Sequence, residues 1–115
     1  MSWDVDLVDN EGKIVEVVPH QEGGIIAMGG EDQATMNVTY NYAKHFYDNL
    51  PDPGFKWLNG KKAKDTIEIL EKAVKELGTE TSNDYWEATE GNAGRALSVL
   101  LSWAKQYPEA IFKIV

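Results

Sequence analysis

The sequence predicts an α+β fold, in which a small antiparallel sheet (an N-terminal hairpin plus a C-terminal strand) packs against about three helices. Three observations carry this. Trp3, Val5 and Leu7 alternate with Asp4 and Asp6, the period-two pattern of a strand with one wet face. The middle of the chain switches to apolar residues spaced by three and four. The chain then ends on Ala110-Ile111-Phe112-Lys113-Ile114-Val115, an extended pattern that needs a sheet to join.

The elements follow in order. Asp9-Asn10-Glu11-Gly12 supplies turn chemistry, and Ile14-Val15-Glu16-Val17-Val18 is the expected returning strand, ended by Pro19, which lacks a ladder donor. Gly23-Gly24 and Gly29-Gly30 bracket a short apolar strand, Ile25 to Met28. Residues 35–39 form a further short strand that feeds a helix. In that helix Ala43, Phe46, Tyr47 and Leu50 share one face, and Pro51 stops it. Ala63, Ile67, Leu70, Val74 and Leu77 define the next helix, with Asn59 available to cap its start and Gly78 its end. Residues 79–90 are polar, with Tyr85-Trp86 embedded, and are expected as an ordered loop. Leu97, Leu100, Leu101 and Ala104 define a third helix, opening near Asn92. Val99 and Trp103 load a second face, which makes this helix central.

At 115 residues the length fits one domain: 1–40 mainly β and acidic, 41–108 mainly helical, and 110–115 the terminal strand. An apolar fraction of 43% is too high for intrinsic disorder. With no cysteine, disulfides, thiolate nucleophiles and thiolate metal sites are all excluded. The opening MSWDVDLVD has neither a basic region nor an apolar core of the secretory kind, so a cytoplasmic protein is expected. No apolar run is long enough to span a membrane as a helix.

Charge is distributed unevenly. The first 34 residues hold eight carboxylates and one lysine, a net of −7, while the remaining 81 hold ten cations and eleven acids, a net of −1. Such a field repels nucleic acid and anionic lipid and attracts basic protein surfaces. Asp4 and Asp6 point outward if Trp3, Val5 and Leu7 are buried, and Asp9, Glu11 and Glu16 join them at or near the turn. A row of carboxylates at strand spacing can imitate a phosphate backbone. The plain alternative is that acidic edges keep a small protein soluble and unpaired.

Three further groups carry chemistry. Gly91-Asn92-Ala93-Gly94-Arg95 opens a helix with two glycines, whose free N–H groups favour an anion, and holds the single arginine, suited to phosphate or carboxylate. The alternative is that small residues let this helix start tightly against a neighbour. Tyr40, Tyr42, Phe46, Tyr47, Phe55 and Trp57 fall within 18 residues. They could stack a base or anchor a partner, or Phe46, Tyr47 and Trp57 could be core, leaving Tyr40 and Tyr42 as the exposed pair with Asn41 between them. Lys61, Lys62, Lys64, Lys72 and Lys75 alternate with acids around one helix, a solvated face rather than a nucleic-acid patch. For catalysis there is little: His20 and His45 lack metal-ligand spacing, His45 pairs at best with Asn49, and Ser98 and Ser102 have no histidine near in sequence. No catalytic residue, metal site or cofactor is expected.

Four short stretches together carry a resemblance. Asn37-Val38-Thr39-Tyr40-Asn41-Tyr42 is followed by Asp84-Tyr85-Trp86, by Gly91-Asn92-Ala93-Gly94-Arg95-Ala96-Leu97 and by Tyr107-Pro108-Glu109-Ala110-Ile111. Residues 35–115 thereby resemble small bacteriophage and prophage proteins that share an "N-[VI]-T-x-N" turn, a glycine-containing helix start and a "P-x-A" terminal strand. The resemblance implies a phage accessory protein in the cytoplasm of a bacterial host, and no activity. With the charge pattern, the leading expectation is a non-enzymatic protein that inhibits a host nucleic-acid-handling or defence factor through Asp4, Asp6, Asp9, Glu11 and Glu16. Its partner is then a host protein with a basic surface, with no direct contact to nucleic acid or membrane and homo-oligomerisation left open. The second expectation is a binder of a phosphate-bearing small molecule, a nucleotide signal, through Tyr40, Asn41, Tyr42, Asn92, Gly94 and Arg95. The third is a minor virion or assembly protein.

Overall fold

The computed structural model describes residues 1–17, 26–27, 33–84 and 87–115. It is an α+β fold with a four-stranded antiparallel sheet in the order β2-β3-β1-β4: β1 Ser2–Val8, β2 Ile26–Ala27, β3 Thr35–Thr39 and β4 Ile111–Ile114. Three α-helices, α1 Ala43–Asn49, α2 Ile67–Leu77 and α3 Glu90–Gln106, are linked by 3-10 turns at Tyr40–Tyr42, Gly54–Leu58 and Ala63–Asp65.

The alternation of β1 is realised as the sequence implies. Trp3, Val5 and Leu7 are buried, and their cross-strand partners Val38, Met36, Ile114 and Phe112 are buried with them. The opposite face carries Asp4 beside Asn37, and Asp6 between Thr35 and Lys113. The terminal strand joins the sheet next to β1, as expected. Its outer edge is sealed by residues 59–61, between two 3-10 turns: Phe112 exchanges backbone hydrogen bonds with Gly60 and Lys61, and Asn59 Oδ1 accepts the N–H of Ile114 at 2.9 Å. Asn59, which ends the 3-10 turn Gly54–Leu58, therefore closes a sheet edge and does not cap the start of α2, and this removes a template for edge-to-edge pairing.

The N-terminal hairpin is shorter than its apolar run suggests. The turn forms around Asp9, whose Oδ1 accepts the N–H groups of Glu11 and Lys13. Among the described residues the returning segment then makes only isolated bridges, Val8 with Ile14 and Glu16 with Gln33. The reason lies in competition for β1: β3 occupies one flank over residues 2–6 and β4 the other over residues 5–8, so the return leg reaches only the end of β1. It crosses to Ala34, whose N–H donates to the Val15 carbonyl. Val18, Pro19 and His20, the Gly23-Gly24 and Gly29-Gly30 pairs and Tyr85-Trp86 lie outside the described residues.

One core cluster spans sheet and helices. Largest among its fully buried side chains are Trp103, Tyr42, Phe46, Phe55 and Phe112. On the expected α2 stripe, Ala63, Leu70 and Leu77 are buried and Ala73 joins them, while Ile67 and Val74 are half-buried. Regular helix begins only at Ile67 because Ala63–Asp65 is a 3-10 turn, and Gly78 ends it with φ 78°. Helix α3 is central, as its two loaded faces imply: Ala93, Ala96, Leu97, Val99, Leu100, Trp103 and Ala104 are all buried. Its most extensive helix partner is α2.

Candidate functional site

Of the five predicted carboxylates, Asp4 and Asp6 share the outer face of β1, Asp9 and Glu11 belong to the turn that follows it, and Glu16 lies on the return leg, bridged to Gln33. Asp4 is exposed on the outer face of β1, and its Oδ1 accepts a hydrogen bond from Asn37 Nδ2 at 3.0 Å. Asn37 also donates to Ser2 Oγ at 2.6 Å, which fixes the β1–β3 register beside that carboxylate. Asp6 is half-exposed on the same face. Glu11 and Glu16 are exposed, and Asp9 is half-buried at the base of the turn. The Lys13 and Glu11 backbone N–H groups, with the nearby Lys13 charge, hold the Asp9 carboxyl below its ordinary value of 3.8. Among the described residues, only Glu11 of the five is in an ion pair, with Lys13 at 3.7 Å. Lys113, opposite Asp6 across the β1–β4 pair, is the one cation that sequence reading did not place on this face. A groove of about 510 Å³ adjoins the turn, lined by Asp9, Asn10, Lys62, Gln106, Tyr107, Pro108, Glu109 and Ala110. Glu109 there is clasped by Lys64 at 3.2 Å and Lys62 at 3.5 Å, and the Lys64 bond holds its carboxyl below the usual range.

The start of α3 is filled by the chain itself. Thr89 caps the helix, its hydroxyl accepting the Asn92 N–H. The Asn92 side chain is fully buried. Its Oδ1 accepts the Ser82 N–H at 3.0 Å, and its Nδ2 donates to the Glu87 and Asp84 carbonyls and to Ser82 Oγ. A Cβ added at Gly91 would collide with the Glu80 carbonyl, and one added at Gly94 with the Gly78 carbonyl. The closeness that two glycines permit is thus spent on residues 78–80. Arg95 is half-buried and already engaged by a neighbouring group. Asn92 and Gly94, predicted as ligand contacts, are enclosed packing residues instead, because Ser82, Asp84 and Glu87 bond the Asn92 side chain and Gly78 closes on Gly94.

The tyrosines also redistribute. Tyr42 is fully buried, 6.0 Å and edge-on from Phe46, so it lines no open site. Asn41 is exposed, and its N–H donates to the Thr39 hydroxyl, which caps the 3-10 turn. Tyr40 is 38% exposed, as expected, whereas Tyr47, read as core, is 61% exposed. Helix α1 is a short element whose stripe splits between the core at Phe46 and a surface cleft at Ala43 and Tyr47. That cleft, about 320 Å³, is lined by Trp3, Tyr40, Ala43, Tyr47, Pro53 and Lys56. Sequence reading missed Tyr47, Pro53 and Lys56 there. The only signal was the density of rings, which does not say which ones face out. Trp57 is half-buried under Lys61, whose Nζ lies 5.4 Å from the ring centroid.

The residues weighed for catalysis have structural bonds. His45 Nε2 lies 2.8 Å from the Ala88 carbonyl and ties α1 to the loop, and Asn49 donates to the His45 backbone rather than to its ring. Ser98 donates to the Arg95 carbonyl, and Ser102 accepts from Gln106. No group of three or more His, Asp or Glu side chains suited to a metal ion occurs among the described residues. No helix among them is long and apolar enough to cross a membrane. No family model matches the chain, and neither a curated protein nor a solved structure does.

Proposed function

We propose that this protein is a non-enzymatic accessory protein of phage origin that acts in a bacterial host cytoplasm by occupying a basic protein surface with its acidic sheet face. The observation that supports the reading is the placing of Asp4 and Asp6 on the outer face of one strand, followed by Asp9 and Glu11 in the next turn and exposed Glu16 on the return leg. Asp4 and Asp6 sit two residues apart on β1, at a strand repeat of about 6.6 Å. That is close to the spacing of phosphates along a nucleic-acid strand. A row of this kind suits a groove that ordinarily takes a phosphate backbone, so a nucleic-acid-handling or defence protein is the partner class. Charges of this sort act on encounter rate and register more than on raw affinity. The groove beside Asp9 offers the partner a recess next to the charged row.

The test is capture from host lysate by the wild-type protein and by a variant with Asp4→Asn, Asp6→Asn, Glu11→Gln and Glu16→Gln, each at low and high salt. A basic partner retained by wild type at low salt, and lost on either change, supports the reading. The same proteins retained by both forms at both salts overturn it.

A further inference from the structure

The rings and the cation that sequence reading sought at residues 91–95 meet elsewhere. We propose that the cleft between Tyr40 and Tyr47 binds a small flat aromatic anion, of the chemistry a nucleoside monophosphate presents. This rests on the cleft alone and is independent of the acidic face.

Two tyrosines flank the cleft, and neither has been drawn into the core: Tyr40 is 38% and Tyr47 61% exposed, with Trp3 between them at 8%. The walls are pre-organised. Tyr40 lies 4.6 Å from Trp3 at an interplanar angle of 62°, Trp3 lies 4.8 Å from Phe55, and Phe55 stacks on Phe46 at 4.8 Å. One wall of the cleft is therefore the surface end of an aromatic ladder rooted in the core. The other wall is held differently. Tyr47 lies across Gly54, where an added Cβ would sit 2.9 Å from Tyr47 Cδ1 and where φ is 80°. The backbone of Gly54 supports one side of this ring, and the high exposure of Tyr47 leaves the rest open. A ligand ring entering here stacks without ordering either wall first, which lowers the cost of binding.

Lys56 sets the sign. Among the described residues it is the only charged one lining the cleft, in a chain whose net charge is −8, so the cleft departs locally from the field of the whole molecule. An anionic group attached to the stacked ring meets the Lys56 ammonium there. The volume of about 320 Å³ falls at the small end of ligand clefts, enough for one ring system and its anionic substituent.

The experiment titrates the intact protein with AMP, GMP, CMP, UMP and indole-3-acetate, with adenosine and inorganic phosphate as controls, read by amide and indole NMR shifts. We expect at least one ring-bearing anion to bind saturably with shifts at Trp3, Tyr47 and Lys56. Adenosine should bind more weakly than AMP, and phosphate alone should not bind. Binding by nucleotides but not by indole-3-acetate, or the reverse, identifies which source of the shared chemistry the cleft takes. Tyr47→Ala should weaken binding about tenfold, since stacking on one ring commonly contributes that much. Lys56→Gln should abolish the preference for AMP over adenosine. Both side chains are exposed, so a melting curve like that of wild type separates a lost contact from a lost fold. No saturable binding across the panel, equal binding of adenosine and AMP, or binding indifferent to both variants overturns the proposal.

Discussion

Replacing Gly94 by alanine tests the account of the helix start by the sign of the effect. An added Cβ would lie 3.0 Å from both the Gly78 carbonyl carbon and Leu77 Cβ, and closer still to the Gly78 oxygen. None of these atoms can swing aside. Gly78 is fixed by its role as the α2 C-cap at φ 78°, and Leu77 is buried, so α2 and α3 must separate at the point where they pack. Overpacking of this kind costs about 1–3 kcal/mol, and a clash with a carbonyl oxygen belongs at the upper end. Alanine returns about 1 kcal/mol of helix propensity. The net is a loss of about 2 kcal/mol, or roughly 8 °C in melting temperature for a chain of this size. Thermal melts and urea midpoints of the two proteins measure it. If the start of α3 were open, as a ligand-cradling glycine requires, propensity alone would act and Gly94→Ala would raise stability by about 1 kcal/mol. A stabilised variant refutes the packing argument.

Other outcomes follow from the same structure. Leu70→Ala deletes a fully buried side chain and should cost about 2–5 kcal/mol, whereas Glu71→Ala, next to it on the wet face, should stay within about 0.5 kcal/mol; urea midpoints decide. Asn92→Ala leaves the Ser82, Asp84 and Glu87 groups without their buried partner and should cost about 2–3 kcal/mol, with hydrogen exchange rising across residues 79–89. Asp9 is lowered by the backbone N–H of Lys13 first, so its contribution is present above its unfolded value of 3.8 and disappears as pH falls through the lower folded value. Melting temperatures of Asp9→Ala and wild type should therefore differ near neutral pH and converge in acid. A constant gap contradicts this.

What the sequence discloses is set by period. Two-fold alternation fixed the buried and wet faces of β1, and the spacing of three and four located α2 and α3 to within a few residues, because burial on one face is a local pattern. What escaped depends on contacts between distant segments. Nothing near Ile14 tells that β3 and β4 both claim β1 and leave the return leg only its end. Asn59 looks like a helix cap until β4 arrives beside it with an unpaired N–H at Ile114. Tyr42 and Tyr47 exchanged roles for the same reason: the density of rings does not say which one faces in, and it is Tyr42 that packs edge-on against Phe46 while Tyr47 lies across Gly54 at the surface. For the helix start both readings were chemically sound, and the choice rested on Gly78, Glu80, Ser82, Asp84 and Glu87, whose sequence does not show that they close on Asn92 and the two glycines. That Asp4 and Asp6 share the outer face of β1 was legible because it needs only strand period, although Lys113 beside Asp6 was not.

The most direct measurement of the central claim is the salt dependence of partner association for the wild type and for the variant with Asp4→Asn, Asp6→Asn, Glu11→Gln and Glu16→Gln, using the partner captured from host lysate. The account expects the wild-type association rate to fall steeply with salt, by about tenfold or more, and the variant to associate slowly at every salt concentration. Equal rates for the two proteins, with the same shallow salt dependence, would contradict it.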